Sequence, residues 1–549
     1  MGALEQASAA VAQGAKRGPL LRAGRLTLVR VAWIAPLLLA ALAAVCALPL
    51  SFAGGFHDDG VYLATARALA EGRGYVIGSL PGEFPQTKYP VLFPGLLAAL
   101  WKIWPAFPDN LALLRLVPLL STAGWLLALW RLVGAGYQRP LDARWLITVT
   151  ACAPLVIEVS GMPLSEPLYA FVSALALLAL QKASDNAGGY RHVALSALLC
   201  AAAYHTRTIG VSLLPCALLA LPPWKRPRQT LLFVSLWIAL CAPWIGWQSL
   251  HPAPADPVLA YYTNKPYLTW ALNGAGWESV LQTAAMNVAG AAIAPLTFWE
   301  LPKNLVVIWL SAIGAGLSLF GLFTQLGRRE RLAAVWVLAT LAIALLWPWP
   351  PQRFLLPVLP FAVLAAADSA PVQRLARTRW AGPAVVALLI SWGLAVSAAN
   401  AGRSLQEGVP FGPFGMADVP WRDHEEAYRW IRTATPPAAR LAGNIDPNYW
   451  LYAERRAVRA FAVDPRKLFY SPDAPAGALG PSEALLRLLH CMAIDYLVLE
   501  KTQLFSEIEP FEQQLAEVSR RRPGLLSAAF ASKGGRILIY RVDRSLAGP

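Results

Sequence analysis

Apolar runs long enough to cross a bilayer recur along most of this 549-residue chain, and they decide much of what it can fold into. A helix needs about 20 predominantly apolar residues to span ~30 Å of hydrocarbon. Residues 31–50 make the first such run. Others follow at 111–133, 145–160, 163–182, 192–207, 208–222, 229–249, 303–325, 331–349, 353–369 and 380–400. Inside hydrocarbon every backbone N–H and C=O has to be bonded within the segment, so these runs predict helices. Only 14% of the residues are charged, against roughly 25% in soluble domains. The chain therefore reads as an all-α polytopic membrane bundle with about eleven transmembrane helices.

The net charge of +15 is spread in short clusters between the runs: Arg131/Arg139/Arg144, Lys182/Arg191, Lys225/Arg226/Arg228, Arg328/Arg329/Arg331 and Arg374/Arg377/Arg379. With residues 1–30 as a cytoplasmic tail, every cluster falls on the inner side, as the positive-inside rule requires. These are topology signals, and they argue against a nucleic-acid partner. The first run is too long for a cleaved signal peptide and is followed by many others, so it reads as a signal anchor. Residues 89–104 carry Pro90, Pro94 and Lys102 and read as a helix on the outer interface. If they spanned, every later cluster would move outside. The six cysteines form no Cys-x-x-Cys pair, so neither a disulfide framework nor a Cys-rich metal site is expected.

Residues 401–549 read as a soluble α/β domain on the outer side, after a transmembrane domain over 31–400. Helices are expected at 423–433 and 510–522. Strands are expected at 440–445, 496–500 and 536–542, in a mixed sheet.

The outer ends of the runs carry a set of charges. Asp58 and Asp59 follow the first span, and Lys88 lies in the same outer segment. Glu166, His205, Arg207 and Arg353 lie in turns that the topology puts on the same face. Charges held beside hydrocarbon are costly and default to a functional role. Three carboxylates and three permanent cations suit transfer from a phosphate leaving group. Cations neutralise the phosphate as its bond breaks, and a carboxylate takes the proton of the incoming hydroxyl. Asp58 and Glu166 are also candidates to hold a divalent metal through oxygen. Each residue has a structural alternative. The aspartates suit a helix start, Glu166 suits a first helical turn, and Lys88 suits snorkelling. Arg353 suits an anchoring charge and His205 a satisfied structural histidine. In residues 250–302, read as an outer loop, Tyr261, Tyr262, Tyr267, Trp270, Trp277 and Trp299 suit packing on a sugar or lipid, or an interfacial belt.

The order of Asp58-Asp59, Lys88-Tyr89-Pro90, Ser165-Glu166-Pro167-Leu168, Arg207-Thr208-Ile209-Gly210 and Arg353-Phe354-Leu355-Leu356-Pro357 resembles the GT-C superfamily of integral-membrane glycosyltransferases. It is most similar to the bacterial branch related to protein O-mannosyltransferases and the lipid A aminoarabinose transferase. The likeness covers roughly residues 30–400. It implies an inverting transfer of one sugar from a polyprenyl-phosphate donor to a hydroxyl of a glycan, lipid or protein, at the outer face of the bacterial inner membrane. It implies Asp58 as the base, with Asp59 where relatives carry Glu. Phosphate-binding positions would fall on Lys88 and Arg207, the latter by charge, since relatives often have Lys-Gly there. Relatives differ in whether they bind a divalent ion. The rival class is a transporter or flippase for a lipid or anionic solute. Transporters tend to show internal repeats and charges near the midplane. This chain shows no repeat, and its charges gather at one face.

Overall fold

The computed structural model describes residues 34–46, 52–136, 143–185, 189–252, 276–327, 330–347, 349–375, 381–408, 419–460, 482–501 and 511–547, together with positions 254, 259, 262 and 263. The expected tail over 1–30 lies outside these, as do Tyr261, Tyr267 and Trp270.

Every apolar run is mainly helical where it is described. Leu111–Gly134, Glu166–Ser184, Pro227–Leu250, Leu305–Gln325 and Gly382–Gln406 are each long and apolar enough to cross a membrane. That makes five candidate spans among the described residues, or six with one bent pair. The remaining runs are shorter or broken among the described residues, which stops short of the expected count of about eleven. A proline, which has no N–H to donate, stands at each break, and at Pro154 the preceding Ala153 also leaves the helical region. The run at 145–160 is two helices, Ala143–Ala151 and Pro154–Gly161, bent by 64°. The run at 208–222 opens as a 3₁₀ turn, Thr208–Leu213, before Leu214–Ala220. The run at 353–369 passes through Gln352–Leu355, a 3₁₀ turn at Leu356–Val358 and then Leu359–Asp368, with Pro357 and Pro360 at the junctions. On Leu305–Gln325 the side chains of Val306, Trp309, Leu310, Ile313, Phe320 and Phe323 are all exposed. Such a face belongs against lipid tails.

Two helices follow the first run. Asp58–Ala70 is buried along most of its length. Leu92–Ile103 has 12 residues, about 18 Å, too short to span. It buries Phe93, Leu97 and Trp101 and exposes Leu96, Ile103 and Trp104, which suits the interface position expected for it. The stretch 250–302 is not only a loop. It carries the helices Gly276–Ala292 and Ala294–Phe298. Of its aromatics, Tyr262 and Trp299 are buried, whereas Trp277 is exposed.

The C-terminal part is α/β. Strands β1 (Leu441–Gly443), β2 (Ala457–Arg459), β3 (Tyr496–Glu500), β4 (Leu526–Ala531) and β5 (Ile537–Val542) form one sheet in the order β2-β1-β3-β5-β4. β1 pairs parallel with β2 and β3, and β5 pairs antiparallel with β3 and β4, so the sheet is mixed as expected. Helices Trp421–Ala434 and Phe511–Arg521 match the two expected from periodicity. Asp446–Ala453 and Ser482–Cys491 are additional. An aromatic column joins this sheet region to the membrane part. Phe52 meets Trp421 edge-on at 5.1 Å, Tyr452 stacks on Tyr428 at 5.1 Å, and Phe107 meets Tyr452 at 4.9 Å.

Candidate active site

Four chain segments converge on one chain of charges. Asp58 opens the Asp58–Ala70 helix and is partly exposed, at 25%. One of its oxygens accepts from the Tyr89 hydroxyl at 2.5 Å, the other from Arg353 Nη2 at 3.1 Å. Arg353 stands on the short Gln352–Leu355 turn, where the proline-broken run begins. Its Nε donates to Glu166 Oε1 at 2.5 Å. Glu166 is the first residue of its helix, where Pro167 fixes the turn and the helix dipole favours an anion. The same Oε1 lies 2.8 Å from Arg207 Nη1. Arg207 sits in extended backbone between the Tyr190–Thr206 helix and the 3₁₀ turn. It donates to Ser165 Oγ at 3.0 Å, and Ser165 Oγ shares a 2.9 Å hydrogen bond with the Tyr62 hydroxyl.

Of the charged members, Asp58 is the most open. Glu166 is 1% exposed and Arg353 8%. Buried charges persist only when paired, and each arginine here has a carboxylate. Both guanidiniums also lie over rings, Arg353 over Phe56 at 4.0 Å and Arg207 over Phe354 at 4.9 Å. Lys88 lies close enough for its charge to act on Asp58, and its Nζ stands 5.4 Å from the Tyr89 ring. Burial pushes the Asp58 carboxyl up, but Arg353, Lys88 and the Tyr89 hydroxyl outweigh it and hold the group down at about 2.

The structure gives the paired aspartates different surroundings. Asp59 is fully buried, and its described hydrogen bonds go to backbone and not to Arg207 or Arg353. Its oxygens accept from the backbone N–H of Gly54 at 2.7 Å and of Phe56 at 3.0 Å, closing the loop ahead of the helix. Burial raises its carboxyl to about 6, with those backbone bonds opposing the rise. His205 lies apart from the network and donates through Nε2 to the Leu240 carbonyl at 3.0 Å. Asp58, Glu166, Arg207 and Arg353 therefore stand in one network with Lys88 beside it, while Asp59 and His205 do not join it. Tyr89 and Ser165, each next to a candidate in sequence, are members that charge alone could not reveal.

The donor set does not fit a divalent metal. Among the described residues no group of three His, Cys, Asp or Glu gathers. Asp58 and Glu166, the two candidates, face a guanidinium that already bridges them.

No family model matches the sequence, and no curated protein does. Solved structures do. The ArnT protein of Cupriavidus metallidurans bound to undecaprenyl phosphate superposes with a TM-score of 0.54 at 14% identity, over 95% of this chain and 99% of that one. The Archaeoglobus fulgidus oligosaccharyltransferase in complex with Zn and sulfate gives a TM-score of 0.50 at 13% identity, over 92% of this chain and 72% of that one. At this identity the likeness is one of fold, shared with the ArnT protein and with the oligosaccharyltransferase.

Proposed function

We propose that the chain is a membrane glycosyltransferase that moves a sugar from a polyprenyl-phosphate donor to a hydroxyl of a glycan, lipid or protein acceptor. The observation that carries the reading is the partly exposed Asp58 carboxylate bound to Arg353, in one network with Glu166 and Arg207. It is supported by a shared fold with a protein solved with undecaprenyl phosphate.

The chemistry follows from the charges. The acceptor oxygen attacks the anomeric carbon while its proton passes to Asp58. The bond from that carbon to the phosphate oxygen breaks, and its electron pair leaves with the polyprenyl phosphate. Attack from the face opposite the leaving group inverts the anomeric centre. Arg353, Arg207 and Lys88 take up the charge that grows on the phosphate. At rest Arg353 keeps Asp58 a weak base, at about 2. A phosphate drawn to Arg353 competes for that guanidinium and raises Asp58 toward a useful basicity, so donor binding prepares the base. Glu166 acts by holding both arginines within reach of one phosphate. Asp59 shapes the loop that presents Asp58. No step needs a metal.

In this reading residues 31–400 form the transmembrane domain, with about eleven crossings if the short and broken runs count. The N-terminus is cytoplasmic. The site and residues 401–549 face the periplasm across the bacterial inner membrane. The test is purified protein in lipid nanodiscs with a sugar-linked polyprenyl phosphate. Appearance of free polyprenyl phosphate on adding a hydroxyl acceptor is expected. Flipping of intact donor in vesicles with no bond cleavage overturns the reading in favour of transport.

A further inference from the structure

The loop that ends at Asp58 is gripped by a helix from the far end of the chain. Asn448 Nδ2 donates to the Ala53 carbonyl at 3.0 Å, and the Tyr452 hydroxyl accepts from Ala53 N at 2.9 Å. His57 Nε2 meets Asp446 Oδ1 at 3.0 Å, with the two side chains 4% and 0% exposed. All three partners lie on the Asp446–Ala453 helix of the α/β part. The approach leaves no slack. A Cβ on Gly54, whose φ is +83°, would fall 1.7 Å from Asn448 Oδ1, and one on Gly60 would reach Pro447 Cβ at 3.0 Å. The helix is itself fixed to the sheet. Glu500, the last residue of β3, accepts from the Tyr449 hydroxyl at 2.8 Å and from Ile445 N at 3.3 Å. His57, immediately before Asp58, sits at φ +67°, a left-handed conformation that a non-glycine side chain keeps only when its surroundings enforce it.

We infer that the Asp446–Ala453 helix of the C-terminal domain sets the position of Asp58, with Asp446, Asn448 and Tyr452 as positioning residues that act through His57 and the Ala53 peptide. The inference rests on the transferase reading above. It gives the α/β domain a part in the transfer even though its helix touches neither Arg353 nor Glu166 through any hydrogen bond or ion pair described. A carboxylate displaced by an ångström loses its line to the acceptor proton, and misplacement on that scale costs up to ~100-fold in rate.

The test uses the full chain in nanodiscs, with Asp446→Ala, Asp446→Asn and Tyr452→Phe. Asp446→Asn keeps an oxygen for His57, and Tyr452→Phe loses only a hydroxyl. Asp446→Ala is expected to lower kcat by about tenfold or more with donor KM within about threefold, and Asp446→Asn to restore most of it. Tyr452→Phe, which keeps the ring for its aromatic contacts, is expected to lower kcat by a few-fold. Hydrogen exchange over residues 52–62 is expected to rise by about tenfold in Asp446→Ala and not in Asp446→Asn. Unchanged kcat in both Asp446→Ala and Tyr452→Phe overturns the inference. So does a loss matched by faster exchange across the whole chain, or by none. The exchange arm needs no turnover. If it rises as expected while wild type cleaves no donor, the clamp stands and the transferase reading falls.

Discussion

Arg353 is bonded to two carboxylates at once, and the account at residue scale turns on that double role. Removing Glu166 as Ala leaves Arg207 and Arg353 without their shared anion in a buried setting. Breaking a buried ionic cluster in this way costs about 3–5 kcal/mol. We expect Glu166→Ala to unfold at a clearly lower temperature in detergent, with Glu166→Gln between it and wild type. Equal melting of all three contradicts the network. Asp59 yields a pH prediction. Its folded carboxyl lies at about 6, above the ordinary 3.8, so the fold favours the protonated form. That stabilisation is complete below about pH 4 and is lost as pH rises through about 6. Wild type should therefore lose more stability between pH 4.5 and 7 than Asp59→Asn, measured by thermal unfolding at both values. Charge and spacing made the cluster legible, because six of the seven candidates carry a formal charge and the topology reads them at one membrane face. They did not separate Asp58 from Asp59, since adjacent acids look alike in sequence and only backbone geometry turns one toward two amides and the other toward a guanidinium.

At the scale of elements, hydropathy made the helices legible and proline hid their breaks. A mostly apolar run counts as one span however it bends, so the 64° turn at Pro154 was invisible to length alone. The Gly276–Ala292 helix was missed for the opposite reason. It carries Glu278, Gln282, Thr283 and Asn287, and it therefore reads as loop. Asn287 explains one of these polar positions. Its amide donates to the carbonyls of Ala344, Leu345 and Trp347, which close the Arg331–Leu345 helix. Between spans, small residues allow close crossing. A Cβ on Gly321 would fall 1.8 Å from the Ala365 carbonyl oxygen, and one on Gly393 would fall 2.1 Å from that of Cys152. Gly321→Ala forces two backbones apart, an overpacking that costs about 1–3 kcal/mol. A melting temperature several degrees lower is expected, whereas Gly316→Ala, with open space around it, is the control that should melt as wild type.

At the scale of the whole molecule, the α/β part and the bundle share packing through Phe52, Trp421, Phe107 and Tyr452, so the sheet is built against the membrane part. Strands β1, β3 and β5 of the α/β part could be read from their local sequence. Its docking could not, because His57 and Asp446 are 389 positions apart and no local pattern links them. Orientation has its own test. Among the cysteines only Cys491, on the α/β part, is exposed. A membrane-impermeant maleimide should label it in cells whose outer membrane has been opened, and labelling only after lysis contradicts a periplasmic domain. The central claim is that Asp58 is the base of a transfer from a polyprenyl-phosphate sugar. It is tested most directly by comparing Asp58→Asn with wild type in nanodiscs for two quantities, binding of polyprenyl phosphate and its release from the sugar-linked donor. The account predicts release slowed by about 10²–10⁴-fold with phosphate binding kept within a few-fold. Release at the wild-type rate from the Asn variant contradicts it.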